Sequence, residues 1–200
     1  MNRKRVLWLL FVLVLLVSIL IGIRIYYVNT NAVITPTKVY AQDEWVALAG
    51  DFQEQRLENT EGYSIKVEKA EFITYSSLVT AHGETEEYLE EAWRPNELVL
   101  LTMNVKNEGN EEGYLFLFDF FLQAENYVLK PELDLWRLIQ PEGGGNMSVK
   151  LKPDSSYTLI VPYAPTPADE DYGNFITEKR EYYLVVSRYP VKKVICVRVS

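Results

Sequence analysis

The sequence predicts an all-β domain, an antiparallel sandwich of seven to eight strands with one short helix, carried behind an N-terminal transmembrane helix. Three observations predict it. The run Val6–Ile23 holds no charged side chain and follows directly on Arg3, Lys4 and Arg5. Beyond it, successive segments alternate apolar and polar residues with period two, as half-buried strands do. Between them stand clusters of Gly, Pro, Asn and Asp, which set turn dihedrals.

A helix rises about 1.5 Å per residue, so Val6–Ile23 spans roughly 27 Å, close to the ~30 Å hydrocarbon core of a bilayer. Arg24 can snorkel, and Ile25, Tyr26, Tyr27 and Val28 extend the apolar stretch. Trp8 near one end, with Tyr26 and Tyr27 near the other, stands where amphipathic rings favour the membrane interface. The basic cluster of Arg3, Lys4 and Arg5 stays inside under the positive-inside rule, and sends everything after Val28 outside. A cleaved signal peptide is the competing reading. The apolar run exceeds the usual ~7–15 residues of a signal core, and no small-x-small pair follows closely. We therefore divide the chain into a cytoplasmic stub (1–5), a transmembrane anchor (6–28), a tether (29–43) and an extracytoplasmic domain (44–200).

Taken in order, Glu44–Leu48 is a short strand. Tyr63–Ile73 alternates through Tyr63, Ile65 and Val67, then changes phase at Ala70 and Phe72, which predicts a bulge. A short helix over Glu84–Arg94 follows from Tyr88, Leu89, Ala92 and Trp93 on one face, Thr85 as cap and Pro95 as stop. Glu97–Asn107 puts Val99, Leu101, Met103 and Val105 on one face and Thr102, Asn104 and Lys106 on the other. Tyr114–Leu122 reads as a strand with Tyr114, Phe116, Phe118, Phe120 and Leu122 facing the core. Tyr157–Tyr163, Glu181–Ser187 and Val191–Val199 complete the set.

The whole chain holds 20 basic and 28 acidic residues. The first 24 residues take four of the basic ones and no acid, so the exported part carries 16 against 28, a net charge of −12. Such a surface repels nucleic acid and anionic polymers and favours basic partners. The lone Cys196 forms no intramolecular disulfide, and its apolar run Val194–Val197 predicts a buried thiol.

Particular stretches resemble a known family: Gly62–Ala70 (Gly-Tyr-Ser-Ile-Lys-Val-Glu-Lys-Ala), Glu87-Tyr88-Leu89, Leu98–Asn107 ending Asn-Val-Lys-Asn, Leu151–Leu159, and Tyr183–Pro190. Together they make the chain similar to uncharacterised membrane-anchored exported proteins of Gram-positive bacteria. The resemblance covers most of Trp45–Val199 and implies an immunoglobulin-like fold for the sandwich. It implies no catalytic residues.

Residue chemistry points the same way. There is no Gly-x-Ser-x-Gly elbow, and His82 is the single histidine, beside Gly83 in a polar stretch. One histidine and one cysteine cannot complete a structural zinc site. The acidic loop Asp169-Glu170-Asp171 with Asn174 offers oxygen ligands to calcium without the EF-hand spacing, so Asp169, Asp171 and Asn174 are candidate calcium ligands. A solvated loop is the competing reading. Gly143–Gly145 lacks the Lys-Ser/Thr of a phosphate loop. Alternation across a sheet turns some of Tyr182, Tyr183 and Tyr189 outward, and Tyr163 and Tyr172 flank the acidic loop.

The expectation is a single-pass envelope protein with no cofactor and no catalytic role. Its partners are the lipid bilayer and another envelope or membrane protein, not nucleic acid. A sensor for a cation or small polar ligand is the second reading, and an enzyme acting on wall material the third.

Overall fold

The computed structural model describes residues 3–32, 35–54, 58–125, 127–143, 145, 147–165 and 181–200. It divides into two compact units, Met1–Ile34 and Thr35–Ser200. The first is the helix α1 (Arg3–Thr30), apolar on every face from Leu7 to Ile23 and exposed there at every described side chain but the half-buried Val12. A helix apolar all round belongs in a core or a bilayer. It is long and apolar enough to cross a membrane. Its polar exceptions are satisfied locally: Ser18 Oγ donates to Val14 O at 2.9 Å, and Thr30 Oγ1 to Tyr26 O at 2.8 Å.

The second unit is mostly β. Its strands are β1 (Thr37–Tyr40), β2 (Val46–Ala47), β3 (Tyr63–Thr74), β4 (Glu97–Asn107), β5 (Leu115–Phe116), β6 (Phe121–Gln123), β7 (Val128–Pro131), β8 (Ser148–Val149), β9 (Ser155–Ala164), β10 (Glu181–Ser187) and β11 (Lys192–Arg198). Nine of these run in the order β1-β11-β10-β6-β7-β9-β4-β3-β2, and β5 pairs separately with β8.

This corrects the seven-to-eight-stranded antiparallel immunoglobulin-like sandwich. Strand β7 pairs with β6 through Leu129 and with β9 through Lys130 and Pro131, so two would-be sheets become one. β1 runs parallel to β11. The sheet curls until it is nearly closed: Ile65 and Val67 of β3 share one core with Ile195 and Val197 of β11.

The expected bulge lies in β3, where Val67 pairs with Met103 and Lys69 with Thr102, leaving Glu68 unpaired. Around it the far edge of β3 receives donors from the opposite end of the sheet. Asp43 N–H donates to Val67 O at 3.0 Å, Gln42 Nε2 to Glu68 O at 3.4 Å, and Ser200 N–H to Ala70 O at 3.2 Å. An edge thus covered offers no free ladder to another chain. The segment after β2 closes the other end, with Phe52 and Tyr189 exchanging backbone hydrogen bonds of 2.7 and 3.0 Å. So part of the expected tether is structural, because β1 lies within residues 29–43 and α1 runs through Thr30.

Two further expectations change. The segment Tyr114–Leu122 is not one strand, because a single 3-10 turn over Leu117–Asp119 separates β5 from β6. That turn reverses the facing: Leu115 is buried before it, Leu117 at its first position, and Phe120 and Leu122 after it, while Tyr114 and Phe118 lie exposed. The helix over Glu84–Arg94 is two separate 3-10 turns, Glu86–Tyr88 and Glu91–Trp93. Leu89 between them has its backbone engaged elsewhere, its N–H on the Tyr75 hydroxyl at 2.9 Å and its carbonyl on Arg94 Nε at 2.7 Å.

Two seven-residue helices flank the sheet, and the second sends Trp136 into the main core. Helix α2 (Tyr75–Ala81) is capped by Thr74, whose Oγ1 accepts from Ser77 N–H at 3.2 Å. Helix α3 (Leu133–Ile139) is capped by Glu132, whose carboxylate accepts from Leu135 N–H at 2.8 Å. Tyr75, Leu78 and Val79 of α2, Leu135 of α3, and Leu89 form a second buried cluster with Leu98 of β4 and Ala164 of β9. It fixes the 3-10 turns beside α3.

Candidate functional site

The second cluster leaves a cleft where its two halves meet. Tyr88, Leu89, Glu90, Trp93, Glu132 and Asp134 line a volume of about 460 Å³. One wall comes from the broken segment after Thr85, which caps the first turn by accepting from Glu87 N–H. Tyr75 holds that wall from below, its hydroxyl donating to Glu86 O at 3.1 Å while accepting from Leu89 N–H. The other wall is the start of α3, anchored by Glu132 N–H on Pro162 O of β9 at 2.9 Å. Tyr88 ties the walls together through its hydroxyl and Asp134 O at 3.2 Å.

Chemically the cleft is aromatic and acidic. Trp93 is 60 % exposed, an indole kept out of both cores. Asp134 already pairs with Arg137 at 2.7 Å. Among the described residues neither Glu90 nor Glu132 has an ion-pair partner. Burial is the main cause that raises the Glu132 carboxyl above its ordinary range, opposed by the hydrogen bond from Leu135 N–H. Burial likewise raises the Tyr88 phenol, with Asp134, Glu84 and Glu132 adding to the effect. These shifts describe one negative, partly dry enclosure.

A second acidic hollow, about 480 Å³, lies between the loops of Asn59–Gly62 and Glu108–Glu112. Its polar groups serve the fold. Asn110 Nδ2 donates to Glu61 O at 2.6 Å, while its Oδ1 accepts from Gly113 N–H at 2.6 Å and Glu112 N–H at 3.1 Å. No aromatic side chain lines it. Among the described residues no group of three His, Cys, Asp or Glu side chains is placed to hold a metal ion.

The residues singled out in the sequence fall elsewhere. Arg3, Lys4 and Arg5 begin α1; Trp8 is 69 % exposed near that end, and Tyr26 and Tyr27 are exposed near the other. The calcium candidates Asp169, Asp171 and Asn174, with Tyr172, lie outside the described residues. His82 caps the end of α2, its Nδ1 2.9 Å from Leu78 O. Cys196 is half-buried rather than buried, because the parity of β11 gives the core to Ile195 and Val197. Burial and then Glu181 raise its thiol, partly offset by Arg198. Tyr183 and Tyr189 face outward as alternation predicts, whereas Tyr163 and Tyr182 are fully buried.

At the sheet end where β4 begins and β9 ends, the interior holds polar groups. Tyr182 and Tyr127 share a hydrogen bond of 2.9 Å between hydroxyls. Among the described residues the Tyr163 hydroxyl and Glu97 Oε2 are buried without a hydrogen-bond partner. Burial raises the Tyr163 phenol far above its ordinary value.

Sequence reasoning missed the cleft for a definite reason. Tyr88, Leu89 and Trp93 were assigned one apolar helix face, and the break at Leu89 separates them, leaving Trp93 in solvent. Glu132 and Asp134 came into view only with α3. The usable signal was the acidic capping residue before an apolar pattern at Leu133, Trp136 and Leu135–Ile139.

A family model described as a domain of unknown function (DUF5028) matches residues 37–193. No curated protein and no solved structure matches the chain.

Proposed function

The chain belongs to the DUF5028 family, and from that premise we propose that it is a membrane-anchored, non-catalytic interaction module of the cell envelope. The aromatic and acidic cleft between the 3-10 turns and α3 carries the reading. It presents an exposed tryptophan and two carboxylates that meet no ion-pair partner among the described residues, the composition of a contact surface rather than of a catalytic centre. Helix α1 supports the anchor, since Val6–Ile23 holds no charged side chain and aromatic residues stand near both ends. Under the positive-inside rule the basic start remains inside and the β-domain faces outward. The resemblance to exported proteins of Gram-positive bacteria fits that placement.

The test uses full-length protein in its own membrane. A photoreactive phenylalanine analogue replaces Glu91, exposed in the second 3-10 turn next to Glu90 of the cleft, or Glu112, in the other acidic hollow. The reading expects a discrete protein adduct from position 91 that is absent at position 112, in a membrane fraction that survives an alkaline wash. Equal or absent crosslinking at the two positions overturns it.

A further inference from the structure

We propose that the cleft between Trp93 and Glu132 receives a lysine or arginine side chain from a basic segment of a partner protein. The inference rests on the interaction-module reading and adds the chemistry of what is bound.

Size comes first. At about 460 Å³ the cleft falls in the lower part of the ~300–1,000 Å³ range of ligand sites. It suits one or two extended side chains and not a folded surface. Charge is the second argument. Glu90 and Glu132 have no cation within ion-pair distance among the described residues, and Arg137 is already committed to Asp134 and to Gly145 O at 2.8 Å. A carboxylate that burial disfavours gains most from an arriving positive charge. An anionic guest would meet three carboxylates and, among the lining residues, no basic side chain; Arg94 beside Trp93 is held on Leu89 O at 2.7 Å.

The third argument is the indole. Trp93 lies in solvent although the second buried cluster is close at hand, with Leu89 four residues earlier in the chain fully engaged in it. A cation over a tryptophan face gains about 0.5–1 kcal/mol at exposed sites and more when water is excluded. The domain already shows the contact elsewhere: Lys66 and Lys106 stand 5.4 and 5.0 Å from the Trp45 ring centroid. There the sheet supplies its own cations; at Trp93 a partner would supply them. The net charge of −12 on the exported part draws a basic segment towards the surface in general, and the cleft gives it one place to stop.

The other acidic hollow separates specific docking from general attraction. It carries Glu61, Glu108, Glu111 and Glu112 without any aromatic wall. The experiment titrates full-length protein in neutral-lipid nanodiscs with a pentalysine peptide and with its fully acetylated form. Saturable binding of the charged peptide alone is expected, about tenfold weaker in Trp93→Ala and in Glu90→Gln, and within twofold of wild type in Glu111→Gln/Glu112→Gln. Both Trp93 and Glu90 are exposed, and an unchanged thermal midpoint shows that those variants keep the fold. Absence of saturable binding, or an equal loss in the Glu111/Glu112 variant, overturns the proposal. Crosslinking at position 91 without pentalysine binding would leave the interaction module standing and remove only the basic segment.

Discussion

The Lys193 ammonium lies 2.6 Å from a carboxylate oxygen of Asp51, with both side chains buried. The same nitrogen donates to Ala47 O and Leu48 O at 2.7 Å each, so its three protons are all used. One lysine of β11 thereby holds the segment after β2, at the opposite end of the strand order, and helps close the sheet. Replacing both partners with apolar residues can be neutral, but removing one strands a buried charge at about 3–5 kcal/mol. Lys193→Met and Asp51→Asn should each lower the thermal midpoint by roughly 10 °C, at the ~2–4 °C per kcal/mol of a domain this size. Because the pair is buried, the loss should persist in high salt. A midpoint within 2 °C of wild type would remove the pair from any closing role.

Two buried tyrosines should respond in opposite directions to loss of the hydroxyl. Tyr163 buries its hydroxyl without a partner among the described residues, so Tyr163→Phe removes a desolvation cost of about 1–3 kcal/mol and should raise the denaturation midpoint. Tyr182→Phe takes away the 2.9 Å bond to Tyr127 and should lower it by about 1 kcal/mol. Urea titration of the two variants side by side reads the contrast. Equal signs would contradict the hydrogen-bond assignment.

Gly113 has no room for a methyl group. A Cβ there would stand 2.2 Å from Asn110 Nδ2 and 2.3 Å from Asn59 O, the atoms that knit the two loops together. Gly113→Ala should therefore cost about 1–3 kcal/mol, as overpacking does. Faster amide exchange at Gly113 and Glu112, whose N–H groups bind Asn110 Oδ1, would locate the damage. Unchanged exchange there would exclude loop opening as its cause.

The long strands were legible because their patterns were consistent along their length. Glu97–Asn107 and Glu181–Ser187 match the expected limits, and the phase change in β3 marks the real bulge. Tyr114–Leu122 failed because both parities are apolar, so period two fits either facing and cannot reveal an intervening turn. β1 is exposed at Thr37, Lys38 and Val39, leaving no pattern to read. Closure was also invisible, since it rests on Gln42, Asp43, Lys193 and Ser200 reaching partners far along the chain. The cleft depended on the break at Leu89, whose N–H is taken by the Tyr75 hydroxyl from outside the segment and whose carbonyl is taken by the Arg94 side chain. Local propensity has no access to such tertiary competition.

Glu132 links stability to the cleft with a definite sign. Its folded-state pKa is raised above the ordinary 4.5, chiefly by burial. The protonated form is thus favoured by folding. Its contribution is fully present below the ordinary carboxylate range and is lost as pH rises through the raised value. Glu132→Gln keeps an oxygen to accept from Leu135 N–H and carries no charge to desolvate. Relative to wild type, its thermal midpoint should gain steadily as pH climbs from about 4 to 7. A gap independent of pH would mean that Glu132 does not titrate differently on folding. The same variant should bind pentalysine more weakly at pH 7, because it lacks the carboxylate nearest the buried wall of the cleft. Greater stability with poorer binding is the pattern expected where a charged side chain is kept for contact at some expense to the fold. If Glu132→Gln instead binds as tightly as wild type, the cation is held by Glu90 and Trp93 alone, and Glu132 remains only the cap of α3.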